Sequence, residues 1–143
     1  MNYALELANT AADLGEVPVG AVIIGNQGEM IAAAANRKTR GHDPTAHAEI
    51  SAIRAATRRI KSLYLTNCTL YVTLEPCPMC AGAIIHSRLN LLVYGADDPK
   101  TGAIRTVTNL PDSCCSNHRL QVLAGIKESS CRQQLQTWFT RQR

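Results

Sequence analysis

The feature that most constrains this chain is a set of metal-binding side chains at two distant positions. His-Ala-Glu occupies residues 47–49, and Pro-Cys-Pro-Met-Cys occupies residues 76–80. One imidazole and two thiolates form a three-ligand set that leaves the fourth tetrahedral position open to water, as in catalytic rather than structural zinc sites. Either piece alone has an ordinary interpretation, as surface residues or as half of a structural or redox cysteine site. Together they require a fold that brings residue 47 to residues 77 and 80.

Both pieces lie where helices are predicted to begin. The alanine-rich segment Thr45–Arg59 has apolar residues at helical spacing, and its helix is expected to begin close to His47. A second helical run is predicted over Cys77–Arg88, so its two cysteines project from one face near a helix N-terminus that favours thiolates. Glu49 follows the imidazole by two residues, where it can take a proton from a metal-bound water and pass it on.

The rest of the hydrophobic pattern predicts an α/β domain. A first helix is expected over Ala4–Leu14 and a last one over Glu128–Arg141. Strands are expected over Val17–Ile24, Met30–Ala35, Cys68–Leu74, Asn90–Tyr94 and Leu120–Leu123, the first two forming a hairpin. A hairpin followed by alternating strands and helices predicts a layered sheet. The length of 143 residues predicts a single domain over 1–143.

Composition narrows the possible functions. The net charge of +4 permits an anionic partner, and 4% aromatic residues are too few for a stacking platform that binds single strands. The N-terminus does not resemble a signal peptide and no apolar run is long enough to cross a membrane, so a cytoplasmic protein is expected. Free thiols are expected at Cys114 and Cys115, because adjacent cysteines chelate poorly, while Cys68 and Cys131 are predicted to be buried.

At its motifs the sequence resembles the zinc-dependent nucleobase deaminases, whose signature is H-x-E with P-C-x-x-C. The resemblance is closest to the bacterial-type tRNA-specific adenosine deaminases and spans nearly the whole chain. The matching blocks are VPVGAV (17–22), GHDPTAHAEI (41–50), LYVTLEPCPMCAGA (70–83), GADD (95–98), KTGA (100–103) and NHR (117–119).

This resemblance implies a three-layer, cytidine deaminase-like fold with a central five-stranded mixed sheet and helices on both faces. It implies hydrolytic deamination of the wobble adenosine, position 34 of a tRNA anticodon, to inosine by a homodimer. A zinc-activated water would be the nucleophile, with one zinc ion per subunit and Glu49 as the proton shuttle. The partner would be the tRNA anticodon stem-loop, with no membrane involved.

The resemblance also implies roles for individual residues. The zinc ligands would be His47, Cys77 and Cys80; Asn36 and the backbone at Ala48 would contact the flipped base; and Asp98, Lys100 and His118 would contact flanking nucleotides. Residue type alone favours plainer roles for some of these: a turn asparagine, an aspartate in an Asx turn and a solvated loop histidine. Arg141 and Arg143 are candidates for RNA contact or a solvated helix end.

Three other functions are alternatives to RNA deamination. A deaminase of a free nucleobase or nucleoside, such as guanine or cytosine, would have the same zinc site, and only the flanking blocks favour RNA. A bifunctional pyrimidine deaminase would need a longer cysteine spacing and a second domain. A non-catalytic zinc-containing RNA-binding subunit has no use for a proton-shuttling carboxylate, so the presence of Glu49 disfavours it.

Overall fold

The computed structural model describes all 143 residues, which form a mixed sheet and four helices. The helices are α1 (Asn2–Asp13), α2 (Ala48–Ile60), α3 (Pro78–His86) and α4 (Glu128–Arg141). The strands are β1 (Gly20–Ile24), β2 (Met30–Ala35), β3 (Thr69–Leu74), β4 (Leu91–Ala96) and β5 (Gln121–Leu123), in the spatial order β2-β1-β3-β4-β5. β1 is antiparallel to β2 and β3, whereas β3, β4 and β5 are parallel. The predicted α/β fold with a five-stranded mixed sheet is confirmed.

Helices cover both faces of this sheet. On one face, a Cβ atom added at Gly20 would overlap the backbone of α1 at Ala4, and one added at Gly95 would overlap Cys131 of α4. These glycines therefore allow two helices to approach the sheet closely. The alternate strand residues face α2 and α3 and form the main core with them, through Ala21, Ile23, Leu70, Val72, Leu92 and Tyr94 on the sheet and Ala52, Ala56 and Ile84 on the helices.

The start of β1 differs from its prediction for a local reason, and the start of α2 agrees with its prediction. Val17–Val19 does not continue β1, because the Val19 N–H donates to the Val17 carbonyl at 2.8 Å and turns the chain. α2 begins at Ala48, in agreement with the expected start close to His47, and just before it the Asp43 carboxylate accepts hydrogen bonds from the Thr45 backbone N–H and hydroxyl. The segment before α2 is therefore a side-chain-stabilised turn.

The fold brings two chain segments to one end of the sheet. β3 ends at Leu74 and leads directly into α3, while β2 ends at Ala35 and leads through a loop into α2. His47 and Cys77 are the N-cap residues of α2 and α3. The two predicted halves of the metal site consequently meet where two helices begin. None of the four helices is both long and apolar enough to span a membrane.

Candidate metal centre and adjoining pocket

His47, Cys77 and Cys80 form one cluster. The Cys77 Sγ lies 3.7 Å and the Cys80 Sγ 3.6 Å from the His47 Nδ1, and all three donor atoms lie within 4.8 Å of one another. Tetrahedral zinc bonded to sulfur at about 2.3 Å and to nitrogen at about 2.0 Å requires a sulfur-to-nitrogen separation of about 3.5 Å. The donor set and its spacing therefore fit a metal ion of this kind.

The electrostatics of the cluster favour a thiolate. The contact with the Cys80 thiol, helped by His47, lowers the pKa of Cys77 to about 4. The same contact raises the pKa of Cys80, and the hydrogen bond with Cys77 raises the pKa of His47. One sulfur is thus already ionised at neutral pH, and thiolates are the form that binds metals.

Glu49 lies in the first turn of α2, beside the cluster, and is only 4% exposed. Burial raises its pKa to about 7, well above the ordinary value of 4.5. A carboxyl group that titrates near neutral pH can both accept and release a proton there. A proton shuttle, the role that the spacing of Glu49 from His47 suggested, requires this property.

A pocket of about 140 Å³ opens beside these residues. Asn36 and Lys38 from the loop after β2 line one side, and Asp98 and Thr101 from the loop after β4 line another. The remaining walls are Val17, Val19, His47, Ala48, Glu49, Leu74, Glu75 and Cys77. The fold therefore brings Asn36, Ala48 and Asp98 into one pocket with His47 and Cys77 of the metal cluster.

Comparisons with known proteins agree with this arrangement. The family model for MafB19-like deaminases matches residues 1–142. The tRNA-specific adenosine deaminase of Haemophilus influenzae is 50% identical over 143 residues, which are 100% of this chain and 83% of the relative. The chain belongs to the tRNA-specific adenosine deaminase family.

Two solved structures extend the comparison to the fold of this deaminase. One, from work on A-to-I editing by tRNA:A34 deaminases at the wobble position of transfer RNA, has a TM-score of 0.91 and 41% identity, covering 94% of this chain and 97% of the other. A guanine deaminase from Nitrosomonas europaea has a TM-score of 0.81 and 27% identity, covering 97% and 82%.

The remaining predicted residues of the deaminase lie outside the pocket wall. Lys100 is exposed at the turn that follows Asp98. The Asp98 carboxylate accepts hydrogen bonds from the Lys100 and Thr101 backbone N–H groups and from the Thr101 hydroxyl, so it both forms an Asx-type turn and lines the pocket. His118 is half-buried, and its Nε2 lies 2.6 Å from the Leu89 carbonyl oxygen. Its side chain therefore also contributes to packing of the loop.

Two buried glutamates that sequence patterns did not single out support the pocket of the deaminase. Glu75 is 1% exposed, and its carboxylate accepts backbone N–H groups of Asp98, Ile104, Arg105 and Thr106 and the Thr106 hydroxyl. Glu16 is also 1% exposed and accepts the Thr39 and Arg40 N–H groups at 3.1 and 2.7 Å.

Neither glutamate has a local sequence signal, because the loops that each one binds are distant in the chain. Glu75 lies inside the block at 70–83, directly before the Pro-Cys motif, and Glu16 lies outside the blocks, directly before Val17. Lys38 and Thr101 also line the pocket, although Lys38 lies outside the blocks and Thr101 appears only within the block at 100–103.

Proposed function

We propose that this deaminase converts the wobble adenosine of a tRNA anticodon to inosine. The observation that carries the proposal is the buried Glu49 carboxyl beside the His47, Cys77 and Cys80 donor atoms, at a pocket with room for a small planar group. The overall reaction consumes one water and releases ammonia from C6 of the purine. The proposal treats residues 1–143 as one deaminase domain.

His47, Cys77 and Cys80 would hold one zinc ion per subunit, and their spacing fits such an ion. When bound, zinc would supply a water of lowered pKa and a positive charge that stabilises the negative charge developing on the attacking oxygen. The zinc proposal follows from the donor set, because an imidazole with two thiolates suits zinc better than magnesium or calcium.

The chain's own groups position the base and move protons. Asn36 would hydrogen-bond the flipped nucleoside, and the backbone at Ala48 lies in the first turn of α2, where N–H groups have no intrahelical partner. Glu49 would take one proton of the attacking water and deliver it to N1 of the adenine. It would then take the proton of the hydroxyl added at C6 and deliver it to the amine, which leaves as ammonia while the C6 carbonyl forms. Its burial keeps bulk water from exchanging with the transferred proton.

RNA binding is supported by a basic groove beside the pocket. A groove of about 400 Å³ between β2 and α2 is lined by Arg37, Arg40, Arg54 and Arg58, with Asp43 as its one carboxylate. The two ion pairs of the structure lie elsewhere, so the four arginines have no acidic partner within 4.0 Å. Unpaired arginines beside small side chains suit the phosphates of an RNA backbone.

Further RNA contacts are proposed from the loop after β4 and the C-terminal helix. Asp98, Lys100 and His118 would contact nucleotides that flank the flipped base, and the exposed Arg141 and Arg143 would contact phosphates. The proposal includes tRNA as the partner and the cytoplasm as the compartment.

A homodimer through α3 is part of the proposal. The outward positions of α3 are Met79, Gly82, Ala83 and His86, which follow helical spacing and include no Lys, Arg, Asp or Glu. A helix that is apolar on its buried side and uncharged on its outer side suits a second copy of the chain.

The test is inosine formation measured by mass spectrometry on an anticodon stem-loop with adenosine at position 34, beside free adenosine and guanine. Wild-type protein should convert the stem-loop far better than either small molecule. Glu49→Ala should remain folded and zinc-loaded but lose roughly 10²- to 10⁴-fold in rate, the usual worth of acid–base catalysis. The matched control is Glu6→Ala, which removes an exposed carboxylate on α1.

A second candidate is deamination of free guanine, which the likeness to the Nitrosomonas europaea guanine deaminase favours. It predicts comparable or better turnover on guanine than on the stem-loop. That result would contradict the RNA proposal and leave the zinc chemistry unchanged.

A further inference from the structure

Asn36 has an orientation that its surroundings impose. Its side-chain Nδ2 lies 3.3 Å from the Val17 carbonyl oxygen and 3.5 Å from Glu16 Oε2. Both neighbours are acceptors, because a carbonyl oxygen has no proton to donate and the Glu16 carboxyl group is ionised. Reversing the amide would place its oxygen against two other oxygens.

The Glu16 carboxylate remains ionised because of the donors it accepts. Burial opposes its charge, but the N–H groups of Arg40 and Thr39 outweigh that cost and hold its pKa below the ordinary glutamate value. The negative carboxylate therefore favours the NH₂ side of the Asn36 amide over the carbonyl side. The two contacts of the Asn36 Nδ2, rather than the titration, fix this preference.

The Asn36 oxygen is consequently the part of the amide left for a ligand. Asn36 lines the pocket and is 6% exposed, and its Oδ1 is fully buried without a hydrogen-bond partner. A buried acceptor without a donor is costly in a folded protein, and a ligand that supplies an N–H or O–H group removes the cost. Adenosine offers such donors in its exocyclic amine and its ribose hydroxyls.

We propose that Glu16 is a positioning residue that orients the Asn36 carboxamide so that its oxygen accepts a hydrogen bond from the substrate. Glu16 does not line the pocket, so it acts through Asn36 and through the Thr39 and Arg40 backbone that flanks Lys38. The inference rests on the proposed deamination of a nucleoside at this pocket.

The test is a double-mutant cycle on kcat/KM for the anticodon stem-loop, using Glu16→Gln, Asn36→Ala and the double variant. The glutamine side chain has nearly the same shape, but its NH₂ group must face either Asn36 and the Thr39 N–H or the Arg40 N–H, so it cannot hold the Asn36 amide as the carboxylate does. We expect Glu16→Gln and Asn36→Ala each to lower kcat/KM by about 10- to 100-fold, the usual worth of a hydrogen bond in a buried polar network. We expect the double variant to be no worse than Asn36→Ala, because residues that act as a unit are not additive.

Glu75→Gln supplies the matched control. Glu75 is equally buried and also holds a pocket loop, but its hydrogen bonds go to residues 98–106 rather than to Asn36. The loss of kcat/KM caused by Glu75→Gln should multiply with the loss caused by Asn36→Ala, whereas the loss caused by Glu16→Gln should not. Zinc content and melting temperature are measured for every variant, and kinetics are read well below the melting temperature.

Multiplicative losses for the Glu16 and Asn36 pair would overturn the inference and leave Glu16 as a general support of the loop. An unchanged kcat/KM for Glu16→Gln would overturn it as well. Failure of the proposed function is a different result, since it appears as absent inosine formation by the wild-type protein. If guanine proves to be the substrate, the same cycle on guanine applies the same criterion.

Discussion

Replacing Glu75 by glutamine should destabilise the fold by an amount that the structure allows to be worked out. The Glu75 Oε1 accepts the N–H groups of Ile104, Arg105 and Thr106 at 3.1, 2.8 and 3.0 Å. Its Oε2 accepts the Asp98 N–H at 3.0 Å and the Thr106 hydroxyl. A glutamine can keep the first three hydrogen bonds with its oxygen, but its NH₂ group then faces the Asp98 N–H.

The cost has two parts. One hydrogen bond to a charged acceptor is lost, at about 1.5–3 kcal/mol, and the three that remain become neutral and weaker. The Thr106 hydroxyl can rotate to accept from the new NH₂ group, which offsets part of the loss. We therefore expect Glu75→Gln to lower the free energy of unfolding by about 2–4 kcal/mol.

Urea denaturation of the zinc-loaded protein measures this value, provided the slope of unfolding free energy against urea is unchanged. Glu6→Gln is the control, because that side chain is exposed on α1 and surface substitutions change stability by less than about 0.5 kcal/mol. A loss below about 1 kcal/mol for Glu75→Gln would refute the reasoning, since it would mean that the buried carboxylate contributes no more than an ordinary neutral acceptor.

Four other outcomes are expected. Cys77→Ser should lose zinc, measured by elemental analysis, together with thermal stability, because metal binding is coupled to folding; full zinc occupancy would contradict the ligand assignment. Because the pKa of Glu16 is lowered in the folded protein, its charge stabilises the fold at pH values above the ordinary glutamate pKa. That stability is lost as the pH falls through the folded pKa, so Glu16→Gln should make the free energy of unfolding depend less on pH in the acid range. The double variant Arg54→Gln, Arg58→Gln should weaken stem-loop binding. It should also reduce the slope of the log binding constant against log salt concentration by about 1.4, at about 0.7 per single-strand phosphate contact. The control variant Lys127→Gln, Arg132→Gln should change both quantities far less. Gly82→Glu should shift the protein toward monomer in light scattering. The substitution should not unfold the protein, because a Cβ at this position meets nothing within 4 Å and glutamate favours a helix more than glycine does.

Much of the fold was predictable because its signals are local. The four helices and five strands follow from apolar periodicity, and α4 agrees with its predicted bounds. The end of α3 was not predicted, since Arg88 adopts a left-handed φ of 54° and nothing about an arginine indicates that conformation. Element types thus follow from sequence patterns more reliably than element ends.

The metal cluster was predictable for a different reason. An imidazole and two thiolates at a fixed spacing have a chemical use only if they converge, so His47, Cys77 and Cys80 carry their own long-range constraint. Glu16 and Glu75 carry none, because any glutamate before an apolar segment has the same local appearance. Their roles depend on which loop lies against them, and only the assembled fold supplies that information.

The three buried glutamates show how one residue type serves two purposes in this molecule. Glu16, Glu49 and Glu75 are 1%, 4% and 1% exposed, so burial disfavours the charge of each one. At Glu16 and Glu75, N–H donors of a loop outweigh burial and lower the pKa, which fixes a permanent negative charge that organises the loop. At Glu49, burial outweighs the hydrogen bonds received and raises the pKa to about 7. A carboxylate that is fully satisfied by backbone donors cannot exchange a proton readily, so the pocket requires the first kind to hold its walls and the second kind to perform its chemistry.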